Sequence, residues 1–87
     1  MAFAILSGRA PAIQTREADT LEDAAWEARQ CASRGQPAAV VIRHADGREP
    51  KPVFAIWADG RDYRESKTPR VGAQVLGYIR GRGGLPT

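Results

Sequence analysis

Residues 20–37 read TLEDAAWEARQCASRGQP, and this stretch decides the fold because it predicts one amphipathic helix with both ends marked. Thr20 is a typical N-cap, and Asp23 three residues later completes an approximate capping box. Apolar residues recur every three or four positions and form one stripe of mostly small side chains, namely Leu21, Ala24, Ala25, Ala28, Cys31 and Ala32. A glycine and then a proline end the segment. We therefore predict a main helix over about residues 20–34 that lies close against a sheet.

Apolar or alternating segments on both sides of this helix predict the strands of that sheet. They cover residues 2–7, 12–17, 38–44, 53–58 and 61–66. Two Ala-Asp-Gly-Arg tetrapeptides, at 45–48 and 58–61, are typical of hairpin turns because Asp tolerates and Gly prefers a positive φ. A second helix is predicted over about residues 69–80, because Thr68 and Pro69 suit its cap and first position.

The strand predicted at 53–58 is apolar on both faces, which indicates that both faces are covered. One face carries Val53, Ala55 and Trp57, and the other carries Phe54, Ile56 and Ala58. Pro50 and Pro52 should keep the preceding stretch out of a central ladder, since proline lacks an N–H group.

These segments predict an α+β fold with an antiparallel sheet of four to five strands and the order β-β-α-β-β-β-α. The main helix should cover one face, and the second helix the other face or the end of the sheet. We expect one domain over residues 1–80, followed by a flexible Gly/Arg tail over residues 81–87.

Composition limits the class of protein. The chain has 87 residues and a mass of 9.4 kDa, which is enough for one domain. A hydrophobic fraction of 43% and a charged fraction of 26% exclude wholesale disorder and collagen-like structure. The chain lacks the ~18-residue apolar run that a membrane span needs, and Met1–Gly8 does not read as a secretory signal, so we expect no membrane partner. A single cysteine excludes an internal disulfide and suits the reducing cytoplasm.

Few residues in the sequence could carry chemistry. Cys31 lies on the apolar stripe of the main helix, and His44 follows a strand, so a catalytic Cys–His pair is not expected. The single histidine and cysteine fall short of a zinc or iron ligand set. We therefore expect neither enzymatic activity nor a cofactor.

Trp26 is the residue that points to binding. It projects about 140° from Leu21 on a helical wheel, among charged and polar residues. Tryptophan is the side chain most enriched in binding hot spots, so Trp26, Arg29 and Gln30 are the predicted protein-binding residues. A second copy of the chain is a further candidate partner. Two other readings stay open: residues 48–52 could fold over the indole, or Arg29 could stack on it.

An alternative function is nucleic-acid binding through the basic C-terminal region, where two tyrosines lie among arginines. The candidate residues are Arg61, Tyr63, Arg64, Lys67, Arg70, Arg80 and Arg82. Intervening acidic residues and a net charge of +3 also fit an ordinary solvated face.

The stretch Leu21–Arg48 combines an alanine-rich helix, an Arg-Gly-Gln stop, an apolar strand and a His-Ala-Asp-Gly-Arg turn. In these features it resembles short bacterial β-β-α-β-β domains of unknown function. In size and single-domain organisation the chain is also similar in type to the small phage-encoded anti-CRISPR proteins, which implies binding to a surface of a large nucleoprotein complex. The expected function is therefore that of a non-enzymatic interaction protein that binds a protein or nucleoprotein partner stoichiometrically, as a phage-type inhibitor of a bacterial defence complex does.

Overall fold

The computed structural model describes residues 3–44 and 46–86, and within them the chain forms five strands and two helices. The elements are β1 (Phe3–Arg9), β2 (Ala12–Ala18), α1 (Leu21–Ser33), β3 (Ala38–Ile42), β4 (Lys51–Asp59), β5 (Asp62–Ser66) and α2 (Pro69–Ile79). The predicted α+β class and element order are confirmed. Ala2 in the first predicted strand, Ala45 in the first predicted turn and Thr87 in the predicted tail lie outside the described residues.

All the strands join one antiparallel sheet in the order β2-β1-β3-β4-β5. Each of β1–β2, β3–β4 and β4–β5 is a hairpin, whereas α1 carries the chain from β2 across β1 to β3. This crossover leaves β2 and β5 as the two edges of the sheet. The first strand runs through Gly8, where the sequence predicted an end, and stays in register with β2 as far as Arg9. Gly8 has a φ of +87° within the strand, a conformation that glycine adopts readily.

The helices cover opposite faces of the sheet, which decides between the two predicted positions of α2. We call the core under α1 the α1-side cluster; it contains Ile5, Ala24, Ala25, Ala28, Cys31, Ala32, Ala38, Val40, Phe54 and Ile56. We call the core under α2 the α2-side cluster; it contains Ala4, Ala39, Val41, Ala55, Trp57, Val75, Leu76 and Ile79. Neighbouring residues of β1, such as Ala4 and Ile5, fall in different clusters because successive side chains of a strand alternate between faces.

Local signals place the ends of α1 where the sequence predicted them. The Asp23 backbone N–H donates to Thr20 Oγ1 at 3.1 Å, which caps the first turn. Gly35 has a φ of +81° after the last turn. At the start of α2, Pro69 occupies an early helical position as predicted. The Thr68 hydroxyl does not cap that helix and lies 2.9 Å from Ser66 Oγ.

The predicted start of β4 is wrong. The strand begins at Lys51, and Pro52 is paired with Val41 of β3. Because β5 pairs with β4 over Ala55–Asp59, the Lys51 end of β4 has a neighbouring strand on one side, where proline is tolerated.

The predicted face of Val53 is also wrong. Val40 pairs with Phe54 and Val41 pairs with Pro52, so Val53 is the extra residue of a β-bulge. Val53 consequently packs against the α1-side cluster together with Phe54. Ala58, predicted to be covered, is exposed near the end of the strand.

The segment after α2 turns back on the helix. The Arg82 backbone N–H donates to the Gly77 carbonyl at 2.7 Å, and Leu85 packs against the α2-side cluster. The flexibility predicted for the tail stays a prediction.

Candidate functional site

The α1 helix presents Trp26 to solvent. Its alanine stripe occupies the side facing the sheet, so the indole projects from the opposite side and is 57% exposed. The other large hydrophobic side chains with high exposure among the described residues are Tyr63 at 45% and Leu21 at 39%. Trp26 is therefore the most exposed large hydrophobic side chain among the described residues.

Two open grooves flank the indole, on the side of α1 that faces the β2 edge. The basic groove, of about 490 Å³, is lined by Arg16, Trp26, Glu27, Gln30, Ser33 and Arg34. The acidic groove, of about 380 Å³, is lined by Glu17, Ala18, Asp19, Asp23, Trp26 and Glu27. We call the two grooves and the indole between them the Trp26 surface.

The short link between β2 and α1 creates this surface. Two residues, Asp19 and Thr20, separate the strand from the helix, so α1 must return antiparallel to β2. The acidic residues of the link and the first helical turn therefore lie at the Ala18 end of β2. Arg34, at the C-terminal end of the helix, lies towards the other end of β2. Arg16 Nη1 and Glu27 Oε2, 3.6 Å apart, connect strand and helix between these ends.

Neither of the two alternative environments considered for Trp26 is present. In the segment 48–52, Glu49 Oε1 lies 3.7 Å from Arg80 Nη1, which follows α2, and Pro52 lies directly beneath Gly72 of α2. This segment therefore packs on the face of the sheet opposite α1. The guanidinium of Arg29 lies over the Phe54 ring, at 5.4 Å from the centroid, and not over the indole.

Arg29 is engaged by the protein itself. Its Nε and Nη2 donate to the two carboxylate oxygens of Glu65 at 2.8 and 2.9 Å, which ties α1 to β5. This hydrogen bond lowers the pKa of Glu65 and raises the pKa of Arg29. Gln30 lines the basic groove beside Trp26. The structure thus brings two of the three predicted binding residues together, and directs Arg29 to the other flank of α1.

Residues that the sequence reasoning missed complete the Trp26 surface. Arg16, Glu27 and Arg34 line the basic groove, and Asp19 and Asp23 line the acidic groove. The signal that could have found them is the two-residue link between β2 and α1, since it forces the strand and the helix to lie side by side.

The predicted nucleic-acid-binding residues on β5 point to different faces of the sheet. Tyr63 pairs with Ala58 and Arg64 pairs with Trp57, which belong to opposite faces. Arg64 Nε also donates to a carboxylate oxygen of Asp59. Arg61 lies in the exposed turn between β4 and β5.

The remaining cations of that set are also dispersed. Lys67 lines a shallow groove on the α1 side with Arg29 and Phe54. Arg70 lies in the first turn of α2, whereas Arg80 and Arg82 follow its last turn. A helix of 11 residues is about 16 Å long, so the two ends are well separated. The predicted residues do not form one continuous basic stripe.

The residues with reactive side chains lie apart. Cys31 is buried in the α1-side cluster near the start of β3, whereas His44 follows the other end of β3. The five-residue strand between them spans roughly 16 Å. Within residues 3–44 and 46–86, no group of three or more His, Cys, Asp and Glu side chains is arranged to hold a metal ion.

Neither helix in the described part of the chain has the length and apolar character needed to cross a membrane. Comparisons with protein-family models, curated proteins and solved structures find no match to this chain.

Proposed function

We propose that this chain is a non-enzymatic interaction protein that binds one protein or nucleoprotein partner stoichiometrically through the Trp26 surface. The observation that carries the proposal is the indole of Trp26, 57% exposed between two grooves of opposite charge. Such a surface offers an apolar anchor with polar groups around it, which is the arrangement of a binding hot spot.

Truncation of Trp26 should affect binding much more than folding. Truncating a hot-spot residue to alanine costs about 2 kcal/mol or more, which is roughly a 30-fold loss of affinity. Because Trp26 contributes little to the core, its removal should leave the free energy of unfolding within about 0.5 kcal/mol of the wild type. Binding and stability are therefore separable at this position.

The narrower form of the proposal is inhibition of a bacterial defence complex in the cytoplasm, as the anti-CRISPR proteins do. Its support is the small single domain, the exposed binding surface and the likeness in type noted from the sequence. The net charge of +3 would favour association with the acidic surface of a nucleoprotein complex.

The test is capture of a partner from bacterial lysate by the tagged chain, before and after nuclease treatment. We expect a protein retained after nuclease treatment that binds the purified chain in a 1:1 ratio and is lost with Trp26→Ala. Tyr63→Ala is the matched control, because Tyr63 is the other highly exposed aromatic side chain. This variant should bind normally.

Two results would overturn the proposal. One is equal affinity of the wild type and Trp26→Ala for the captured protein. The other is capture that depends on nucleic acid, falls steeply with salt and is lost with Tyr63→Ala or Arg64→Ala, which would establish the nucleic-acid-binding alternative.

A further inference from the structure

The two edges of the sheet differ in how well they are protected against pairing. β5 has five residues, of which Asp62, Arg64 and Glu65 are charged. β2 has seven residues, AIQTREA, and all of them are paired with β1 in one unbroken register. Natural edge strands are usually protected by charged side chains, above all lysine, or by proline, bulges or shortness. β2 has no proline, lysine or bulge, and its two charged residues, Arg16 and Glu17, are each held in an ion pair within the chain. The outer edge of β2 is therefore available to another strand.

We propose that β2 pairs antiparallel with β2 of a second copy of this chain, about a two-fold axis at Thr15. This inference does not rest on the proposed function, because it requires only the backbone edge of β2 and the charges beside it. A two-fold axis perpendicular to the sheet produces an isologous contact, in which both copies use the same surface. If one residue of the first copy contacts a second residue of the other copy, the reverse contact also occurs.

The register follows from the strand itself. With Thr15 opposite Thr15 of the second copy, Gln14 faces Arg16, and all seven residues of β2 are paired. Moving the axis one residue towards the end of β2 would place Arg16 opposite Arg16, which is unfavourable. Moving the axis one residue the other way would leave Glu17 and Ala18 without partners in β2. The Thr15 register therefore gives the longest pairing and places no like charges opposite each other.

Charge beside the strand favours the same arrangement. The acidic groove lies at the Ala18 end of β2, with Asp19 and Asp23 in its wall. The basic groove runs from Arg16, which is paired with Glu27 near the axis, to Arg34 in the other direction. Antiparallel pairing of two such strands brings the acidic end of each copy beside the basic end of the other. A surface with charges of opposite sign at its two ends is thus complementary to itself.

The resulting dimer would have one continuous sheet with both α1 helices on the same face. The two Trp26 side chains would then lie on either side of the seam. Each copy would keep its own Trp26 on that face, so a dimer would bind two partners and the ratio of chain to partner would stay 1:1.

Sedimentation equilibrium of the purified full chain at micromolar concentrations tests the proposal. We expect a species with twice the 9.4 kDa mass of the chain. Thr15→Arg should weaken dimerisation at least 10-fold, because it places two like charges at the axis. Tyr63→Arg adds the same charge to the β5 edge and should leave the dimer unchanged, and circular dichroism confirms that both variants fold.

A cross-link tests the register. Thr15→Cys should form an intermolecular disulfide under a glutathione redox couple, since directly opposite residues of antiparallel strands have Cα atoms about 4.5–5.5 Å apart, within the range that a disulfide spans. In the same register two Ala12→Cys residues would lie six positions apart, roughly 20 Å, and should not bridge. Cys31 is buried and is present in both variants, so it does not account for a difference in cross-linking between them.

Three outcomes would overturn the proposal. The first is a monomer at every concentration. A monomer whose β2 edge pairs with an extended segment of a different protein would count as the same result. The second is a dimer that Thr15→Arg leaves intact and Tyr63→Arg disrupts, which would place the contact at β5. The third is cross-linking of Ala12→Cys as fast as that of Thr15→Cys.

Discussion

The two faces of the sheet each carry a helix and a tryptophan, but they use the tryptophan in opposite ways. On the α2 face, Trp57 is 5% exposed and packs beneath the helix with Leu76 and Ile79. On the α1 face, small side chains fill the contact, and Trp26 remains outside at 57% exposure. Whether a tryptophan lies in the core or on the surface therefore depends on which face of its helix or strand carries it, and not on residue type alone.

The helices also approach the sheet by different means. The alanine stripe of α1 allows close contact along its whole length, as its periodicity predicted. In α2, close contact depends on Gly72, where an added Cβ would lie 2.7 Å from Pro52 Cβ. By helix propensity alone, a glycine in the interior of α2 would only weaken the helix. In the structure Gly72 is the point at which α2 touches β4.

The largest expected effect concerns Trp57. Trp57→Ala should lower the free energy of unfolding by about 3–5 kcal/mol, because it removes a large buried ring and leaves a cavity. Trp57→Phe should recover most of that loss, since it keeps an aromatic ring and removes the indole N–H, which is buried without a protein hydrogen-bond partner among the described residues. Urea unfolding of both variants beside Trp26→Ala measures the contrast. Equal losses in the free energy of unfolding for Trp57→Ala and Trp26→Ala would contradict this contrast between the two tryptophans.

The next largest effects are changes in stability of opposite sign at two glycines of α2. Gly72→Ala gains about 1 kcal/mol in helix propensity but overpacks the contact with the Pro52 ring, which costs roughly 1–3 kcal/mol, so a net loss is expected. At Gly77 an added Cβ would meet the Arg82 carbonyl oxygen at 3.5 Å, an ordinary contact. Gly77→Ala should therefore stabilise the protein by up to about 1 kcal/mol. Thermal unfolding of both variants checks the signs, and a stabilising Gly72→Ala would show that α2 does not depend on this close approach.

The smallest effect concerns the ion pair on the α1 face. Arg29 lowers the pKa of Glu65 in the folded chain, so the contribution of the pair is complete above the ordinary glutamate value of about 4.3. It is lost as the pH falls through the lower folded value. Side-chain exposures of 49% for Arg29 and 40% for Glu65 limit the contribution to about 0.2–1 kcal/mol at neutral pH.

Arg29→Met should therefore destabilise the protein slightly at pH 7 and much less at pH 3. Urea unfolding of this variant and the wild type at both pH values measures the difference. The same difference at pH 3 as at pH 7 would assign the loss to packing of the Arg29 stem against Phe54.

Most of the fold could be predicted because its signals are local. The bounds of α1 follow from Thr20, Asp23 and Gly35, which act within one helical turn. The bulge at Val53 could not be predicted, since it arises from the pairing of β4 with a particular register of β3. Without the bulge, simple alternation places Val53 on the wrong face.

The candidate site was predicted in part. Trp26 stands out because its position on the helical wheel opposes the alanine stripe. The engagement of Arg29 by Glu65 depends on contacts between residues 36 positions apart, which helical spacing does not contain. The basic and acidic grooves depend in the same way on the placement of β2 beside α1.

The amino-acid sequence by itself determined the order of the elements, the bounds of the main helix and the outward position of Trp26. These properties follow from periodicity, caps and turns, whose energies act between residues a few positions apart. Tertiary structure alone decided which face α2 covers, where Arg29 is held and how charge is divided around the indole. Those features come from packing and pairing between distant segments, and their energies exist only once the sheet has brought the segments together.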